Sequence, residues 1–276
     1  MQGSFFEKSY AKLNLFLKIV NKRKDGFHNI RSGITLINLY DEILVKSDSS
    51  FNLEYTGEFA PMNKKFDDCI IEKLFEHLNL IKPNYKFIIK KNIPIKSGLG
   101  SASSNVAAVL RILQKLKLYK NNEKNNLSSL GADIPLFINN QDCLVRGLGD
   151  KIAKKSYPKY FFLLVKPKIG HSTKYMYNKV RQKHIDYKKE NDLNEINEFD
   201  VGNDFEKIVF KENKQLINIF NFLNDLEGVI FSRLTGSGSC LYATFDNKNT
   251  ATKAKITFHN KYPELWSFIA ENNSSN

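Results

Sequence analysis

The chain has 276 residues, 42% of them hydrophobic, which is enough to bury a sizeable core as one large domain or two modest ones. Lysine and arginine total 42 against 29 acidic residues, a formal charge of +13, but the lysines are scattered among asparagines with no arginine–aromatic stripe, which argues against a nucleic-acid groove. Cys69, Cys143 and Cys240 are odd in number and far apart, which excludes a disulfide frame or a cysteine zinc site. No long apolar run and no charged-then-apolar leader is present, so a cytoplasmic location without a membrane anchor is expected.

Residues 9–20 alternate with a period of two, which places Leu13, Leu15, Leu17 and Ile19 on one face of a strand and Lys12, Asn14, Phe16 and Lys18 on the other. Lys12 and Asn14 therefore point the same way. Taken alone, Lys12 reads as a solvated strand lysine. Residues 21–28 carry an Asp25-Gly26 turn, residues 34–39 return as a strand, and His28 reads as a turn residue bonded to backbone. A short helix is expected over residues 70–80.

Residues 85–90 are rich in strand formers and stop at Asn92 and Pro94. The run Pro94-Ile95-Lys96-Ser97-Gly98-Leu99-Gly100-Ser101-Ala102-Ser103-Ser104 then leads into a helix whose apolar face is Val106, Val109, Leu110, Leu113 and Leu116. Ser103, Ser104 or Asn105 is its candidate cap. Strand, glycine loop and helix in this order make a phosphate cradle, because glycine lets backbone N–H groups approach an anion and the first helical turn supplies unpaired donors. The loop lacks the Gly-Lys-Ser/Thr ending of a Walker motif and the spacing of a dinucleotide fingerprint. An ordinary glycine-rich turn is the competing reading.

Asp133 stands between Gly131 and an apolar run, where it reads as the N-cap of a short helix with Pro135 in the first turn, a role compatible with catalysis. Residues 161–165 open a second region as a buried strand. A helix from about Thr173, a polar connection over residues 183–201 and one longer helix carrying Ile208, Val209, Leu216, Ile219, Phe220 and Leu223 come next. Strand-like residues 229–234 and 240–245 flank Thr235-Gly236-Ser237-Gly238-Ser239, whose plain reading is a flexible hairpin turn. A helix over 249–260, a strand over 265–269 and a frayed tail over 272–276 close the chain. Mixed strands and helices without a regular repeat read as α+β.

In this order and spacing the segments resemble the GHMP kinase superfamily, and within it the branch acting on 4-diphosphocytidyl-2-C-methyl-D-erythritol. The resemblance is carried by Ala-Lys-Leu-Asn-Leu-Phe-Leu-Lys-Ile at 11–19, Asp25-Gly26-Phe27-His28, Leu39-Tyr40-Asp41-Glu42, residues 94–104 and Gly131-Ala132-Asp133-Ile134-Pro135. Further matches are a hinge-like Arg146-Gly147-Leu148-Gly149-Asp150, Lys166-Pro167 with Ser172-Thr173, Asn203-Asp204-Phe205-Glu206 and the Thr235 loop. Together they run from about Tyr10 to Phe245.

The resemblance implies a two-domain GHMP kinase fold, with a ribosomal protein S5 domain 2-like N-terminal ATP-binding domain over 1–155 and a ferredoxin-like C-terminal domain over 156–276. It implies transfer of the γ-phosphoryl group of ATP, with Mg²⁺, to the 2-hydroxyl of the methylerythritol unit of that small-molecule substrate. Lys12 and Asp133 match the family's catalytic pair. Pro94, Ile95, Lys96, Ser97, Gly98, Leu99, Gly100, Ser101, Ala102, Ser103 and Ser104 match its ATP loop. Asn14, Phe27, His28, Thr173, Tyr177, Gly236 and Ser237 match substrate positions, with aromatic stacking and base-edge hydrogen bonds reading the cytidine. Nucleic acid and membrane are not implied as partners.

Three departures stand out. Phe27 occupies a position where the family more often has tyrosine, Ala102 replaces one of several glycines, and the segment between Leu118 and Leu130 is short. The competing readings are another small-molecule GHMP kinase, acting on a mevalonate-type or homoserine-type alcohol, and a non-catalytic nucleic-acid-binding protein. Residues 25–28 and Tyr177 distinguish the first. The second leaves Lys12, the phosphate loop and Asp133 unexplained.

Overall fold

The computed structural model describes residues 4–61, 69–120, 126–170, 173–181 and 202–272. The polar connection over 183–201, Ser172 and residues 273–276 lie outside them. Internal contacts divide the chain into two compact units that interleave in sequence. Unit 1 comprises Met1–Ala11, Leu39–Ile95 and Gly100–Gln141, and unit 2 comprises Lys12–Asn38, Lys96–Leu99 and Asp142–Asn276.

Interleaving begins with two long strands, β1 (Phe5–Lys22) and β2 (His28–Ser47), which pair with each other and each contribute residues to both units. In unit 1, the C-terminal half of β2 pairs antiparallel with β4 (Tyr85–Lys90), and β4 pairs parallel with β3 (Asn52–Thr56). Helix α1 (Ile70–His77) buries Ile71, Leu74 and Phe75, the three- and four-residue spacing of one helical face. Helix α2 (Ser101–Lys115) is more deeply sunk and buries Val106, Ala107, Ala108, Val109, Leu110, Ile112 and Leu113. The core cluster of unit 1 joins these residues, Ala107 apart, to Ile43, Val45, Phe87 and Ile89 from the sheet. Truncating one of them, Leu113→Ala, costs about 2–5 kcal/mol from lost transfer energy and the cavity left behind. Helix α3 (Ile134–Asn139) comes next in the chain, with Pro135 in its first turn as expected.

In unit 2, the N-terminal half of β2 pairs antiparallel with β5 (Cys143–Gly147), which pairs with β6 (Lys151–Lys154). The hinge-like residues are the tight turn of this last hairpin, where Asp150 Oδ1 accepts from Leu148 N at 2.8 Å. A four-stranded antiparallel sheet has the order β10 (Trp266–Glu271), β7 (Phe161–Lys166), β9 (Leu241–Phe245), β8 (Phe231–Leu234). Helices α4 (Thr173–Lys179), α5 (Glu206–Glu212), α6 (Lys214–Asn224) and α7 (Lys248–Lys261) belong to the same unit. Its core includes Leu163, Val165, Met176, Val209, Leu216, Ile219, Leu241 and Phe258.

Four expectations are corrected. The longer helix through Ile208 and Leu223 is two helices, because Asn213 adopts an extended backbone and its side chain accepts from Gln215 N and Leu216 N, capping α6. Helix α2 is not capped by Ser103, Ser104 or Asn105. It starts at Ser101 behind a left-handed Gly100 (φ 78°), and no side chain caps it. Asn272 is not part of a frayed end: it is fully buried, accepts from Tyr160 N at 2.8 Å and donates to Pro158 O at 2.8 Å. Lys12 is not solvated, since only 3% of it is exposed.

Candidate active site

Lys12 lies within β1, and its Nζ donates to Asn14 Oδ1 at 2.5 Å, as the period-two spacing requires. Asn14 gathers several distant segments around that lysine. Its Oδ1 also accepts from Gly236 N at 2.8 Å and Thr235 Oγ1 at 3.3 Å, and its Nδ2 donates to Ser32 Oγ at 2.8 Å. Its backbone is fixed as well, N donating to Thr235 Oγ1 at 3.2 Å and O accepting from Tyr242 Oη at 2.9 Å.

Two small-residue loops of unit 2 meet at this point. Lys12 N donates to Leu99 O at 3.0 Å, Cys240 N to Ser97 O at 3.0 Å, and Thr235 Oγ1 to Gly98 O at 3.4 Å. A Cβ on Gly98 (φ +81°) would stand 2.3 Å from Thr235 O, and one on Gly236 (φ +57°) would stand 3.1 Å from Gly98 O and 3.3 Å from Lys12 Nζ. Only glycine allows both the left-handed backbone and this approach. The Thr235 loop is therefore no flexible turn: Thr235, Ser237 and Ser239 are buried, and Ser237 Oγ donates to Thr173 Oγ1 at 3.1 Å.

The Asn203-Asp204-Phe205-Glu206 run holds this arrangement from behind. Asn203 Nδ2 donates to Leu234 O at 2.7 Å and Gly236 O at 2.8 Å, Glu206 Oε1 accepts from Leu234 N at 2.9 Å, and Asp204 pairs with Lys18 and accepts from Ile19 N at 2.8 Å. Burial pushes the Glu206 carboxyl up from its ordinary range and the Cys240 thiol up to about 12. These groups serve structure, and the Asn203 and Thr235 side chains were not singled out as site residues from the sequence. Their partners are set by folding across some 30 to 220 residues, which no local pattern reports.

A second feature of unit 2 is aromatic. His28 stacks on Tyr177, with ring centroids 5.5 Å apart and planes 25° apart, while Phe205 meets Tyr177 edge-on at 4.9 Å. His28 is 7% exposed, and its Nε2 is buried with no hydrogen-bond partner among the described residues. Desolvation, then the nearby Lys22 charge, holds its pKa below the ordinary value. His28 begins β2 and is not a turn residue. Phe27 is 64% exposed beside it and has no ring partner among the described residues.

In unit 1, the loop residues Gly100–Ser104 form the N-cap and first turn of α2. Ser104 N donates to Gly100 O at 2.9 Å, whereas the N–H groups of Gly100, Ser101, Ala102 and Ser103 have no helical carbonyl a turn earlier to bond, which makes this end a donor surface for an anion. The hydroxyls of Ser101 and Ser104 turn inward: Ser101 Oγ donates to Asp41 Oδ2 at 2.8 Å, and Ser104 Oγ accepts from Ser9 Oγ at 2.8 Å. Ala102 is exposed and Ser103 is half-buried. Asp133, half-buried, stands at the N-cap of α3 without a side-chain cap bond. Its loop packs closely on α2, since a Cβ on Gly131 would stand 3.0 Å from Ser103 Oγ. Upstream in the loop, Pro94 and Ser97 are buried, Ile95 and Lys96 exposed, and Lys96 has φ 51°.

The comparisons with known proteins agree with one another. Residues 66–143 match the GHMP kinases N terminal domain and residues 186–264 the GHMP kinases C terminal domain, together more than half of the chain. The 4-diphosphocytidyl-2-C-methyl-D-erythritol kinase of Pelagibacter ubique is 33% identical over 283 aligned residues, covering 96% of this chain and 97% of the relative. The chain belongs to the 4-diphosphocytidyl-2-C-methyl-D-erythritol kinase family of GHMP kinases. A second member of that kinase family, from Buchnera aphidicola, is 34% identical over 89% of this chain and 88% of its own. A crystal structure of a 4-(cytidine 5'-diphospho)-2C-methyl-D-erythritol kinase superposes with a TM-score of 0.78 at 21% identity, covering 98% of this chain and 100% of that one. The fold is thus the two-domain GHMP kinase fold, α+β throughout.

Proposed function

We propose that the chain transfers the γ-phosphoryl group of ATP to the 2-hydroxyl of 4-diphosphocytidyl-2-C-methyl-D-erythritol, giving the 2-phosphate and ADP. The observation that carries this reading is the near full-length likeness to kinases of that name, in a chain whose Lys12 is buried and fixed beside two glycine loops. In this reading the amides of Gly100–Ser103 and the Ser103 hydroxyl take the triphosphate, with Ser104 closing the first turn and Pro94 to Leu99 setting the path of the loop.

A tertiary alcohol is a very weak acid, so full removal of its proton before attack is steeply uphill for a carboxylate. Phosphoryl transfer through a loose transition state asks chiefly for in-line positioning and charge stabilisation. Asp133 accordingly accepts the hydroxyl proton late, and Lys12, held by Asn14, stabilises charge at the transferring group. The stacked pair His28 and Tyr177, with the exposed Phe27, receives the cytosine: His28 Nε2 is buried and lacks a partner among the described residues, and the base-edge hydrogen bond is assigned to it. Gly236, Ser237 and Thr173 are assigned to the substrate in this proposal, supported by the Ser237–Thr173 hydrogen bond and by the close approach of Gly236 to Lys12 Nζ.

Among the described residues no group of three His, Cys, Asp or Glu is placed to hold a cation. In this reading a magnesium ion would arrive with the nucleotide, and Asp133 is the carboxylate that would face it. Bound there, the ion supplies charge neutralisation on the β- and γ-phosphates. No helix among the described residues is long and apolar enough to cross a membrane. A cytoplasmic location, and a functional division near residue 155, belong to this proposal.

The test is ADP formation by purified protein with ATP and Mg²⁺, comparing the cytidylyl substrate with mevalonate, homoserine and no acceptor. Turnover with the first alone is expected. Turnover on another alcohol, with none on the cytidylyl substrate, overturns the assignment of His28 and Tyr177 while leaving the kinase reading intact.

A further inference from the structure

Asp41, in the unit 1 half of β2, is fully buried and collects donors from both sides of the glycine loop. Its Oδ1 accepts from Asn92 N at 2.8 Å and Ile93 N at 2.9 Å, the amides that lead into the loop. Its Oδ2 accepts from Ser101 Oγ at 2.8 Å and Asn105 Nδ2 at 2.9 Å, in the first two turns of the helix that leaves it. The Lys91 ammonium, on a side chain with only 5% of the residue exposed, binds the same Oδ2, the Ser101 hydroxyl and, at 2.7 Å, Asn105 Oδ1. Asn105 Nδ2 also donates to Ser9 Oγ at 2.8 Å, which continues to Ser104. One carboxylate thus ties the chain immediately before residues 94–100 to the chain immediately after them.

Packing alone does not explain such a network. Taking a carboxylate and an ammonium out of water is costly, and apolar side chains of similar volume hold a core together as well or better. Burial lowers the Lys91 pKa, and the Asp41 charge only partly offsets this. What directional bonds to a buried charge add is fixed position, because each donor must meet an oxygen lone pair in one place.

We infer that Asp41 and Lys91 are positioning residues for the nucleotide, fixing the entry and exit of the glycine loop so that its backbone donors stand where a triphosphate needs them. The inference rests on the reading of residues 94–104 as the ATP loop. It also sorts the loop's serines. Ser101 and Ser104 belong to the buried network, and Ser103, whose hydroxyl has no hydrogen bond among the described residues, is the one that meets phosphate.

The test uses the full chain and two variants. Asp41→Ala with Lys91→Met removes the tie without leaving a lone buried charge, and Asn105→Leu cuts the exit side from a position outside the loop. Direct titration with ATP, the KM values for ATP and for the alcohol, titration with cytidine diphosphate and circular dichroism are measured on each. ATP affinity is expected to weaken about tenfold or more in the double variant and about threefold in Asn105→Leu, with cytidine diphosphate affinity held within about twofold. A folded variant with unchanged ATP affinity, or one that loses both ligands alike, overturns the inference. Should the double variant fail to fold, the Asn105→Leu result decides alone. A wild-type protein that binds no ATP overturns the underlying reading of the loop, an outcome distinct from wild-type binding that the variants leave intact.

Discussion

Lys12 Nζ and Asn14 Oδ1 stand 2.5 Å apart on the same face of β1, and the amide oxygen that takes the lysine also takes the backbone N–H of Gly236. The asparagine is therefore a junction: it sets the lysine's position relative to a loop more than 200 residues away in sequence.

Asn14→Leu keeps the volume and removes that acceptor. A buried amide that loses its partner costs about 1–3 kcal/mol, so the urea midpoint should fall, and kcat should fall about tenfold or more as Lys12 loses its orientation. An unchanged midpoint together with unchanged kcat would show that Asn14 orients nothing.

Gly26 and Gly98 differ in a way that substitution can read. Gly26 has φ +86° but open space around it, whereas Gly98 has φ +81° and a backbone carbonyl 2.3 Å from any Cβ. Gly26→Ala should cost only the left-handed strain, about 1–2 kcal/mol. Gly98→Ala must also push Thr235 away, so it should melt lower than Gly26→Ala and lose most of its turnover. Equal melting temperatures for the two would contradict the close approach.

Asp133→Asn keeps shape but cannot take a proton. Loss of a positioned general base lowers turnover about 10²- to 10⁴-fold, while ATP affinity should stay within about twofold. Steady-state kinetics beside an ATP titration make the comparison, and retained turnover would remove Asp133 from the proposed mechanism.

His28 carries a pH signature. Its folded-state pKa lies below the ordinary 6.5 because the ring is desolvated and Lys22 is near, so the unfolded chain binds the proton more readily. The neutral ring's contribution is fully present above pH 6.5 and is lost as pH falls through the folded-state value. An NMR titration should place the His28 midpoint below 6.5. His28→Ala should raise the KM for the cytidylyl substrate more than that for ATP. A midpoint above 6.5, or equal rises in both KM values, would count against a neutral His28 at the base edge.

Elements with strong local periodicity were legible in the sequence: β1 through Lys12, the loop and helix from Pro94 to Lys115, the hairpin around Thr235 and the last helix and strand. The break at Asn213 was not, because Val209 and Leu216 keep a seven-residue helical spacing across the polar run 211–215, inside which Asn213 caps α6. Strands β3, β5 and β6 are short and poorly patterned, and they exist because neighbouring strands offer them hydrogen bonds.

For the site, the resemblance proposed Lys12, Asp133, Phe27, His28 and Tyr177, whereas residue type alone gave Lys12 a plain surface role. The local pattern misjudged solvent. Alternation along β1 predicted one wet face, yet Lys12, Asn14 and Phe16 are buried as deeply as the leucines between them, since segments far along the chain cover that face too. Asp41 drew notice only as part of a motif and Lys91 not at all, because their connection spans 50 residues and exists only in the folded chain.

Helix α2 begins behind a left-handed glycine, with the hydroxyls of Ser101 and Ser104 turned inward and no side chain closing its first turn. On the proposed reading of this loop, a nucleotide that accepts hydrogen bonds from those amides finishes the helix, so occupancy and unfolding become linked equilibria: at a nucleotide concentration about 100 times its Kd, the folded state gains about 2.7 kcal/mol. On that reading the protein is least resistant to heat when empty, and its melting temperature serves as a gauge of the nucleotide concentration around it.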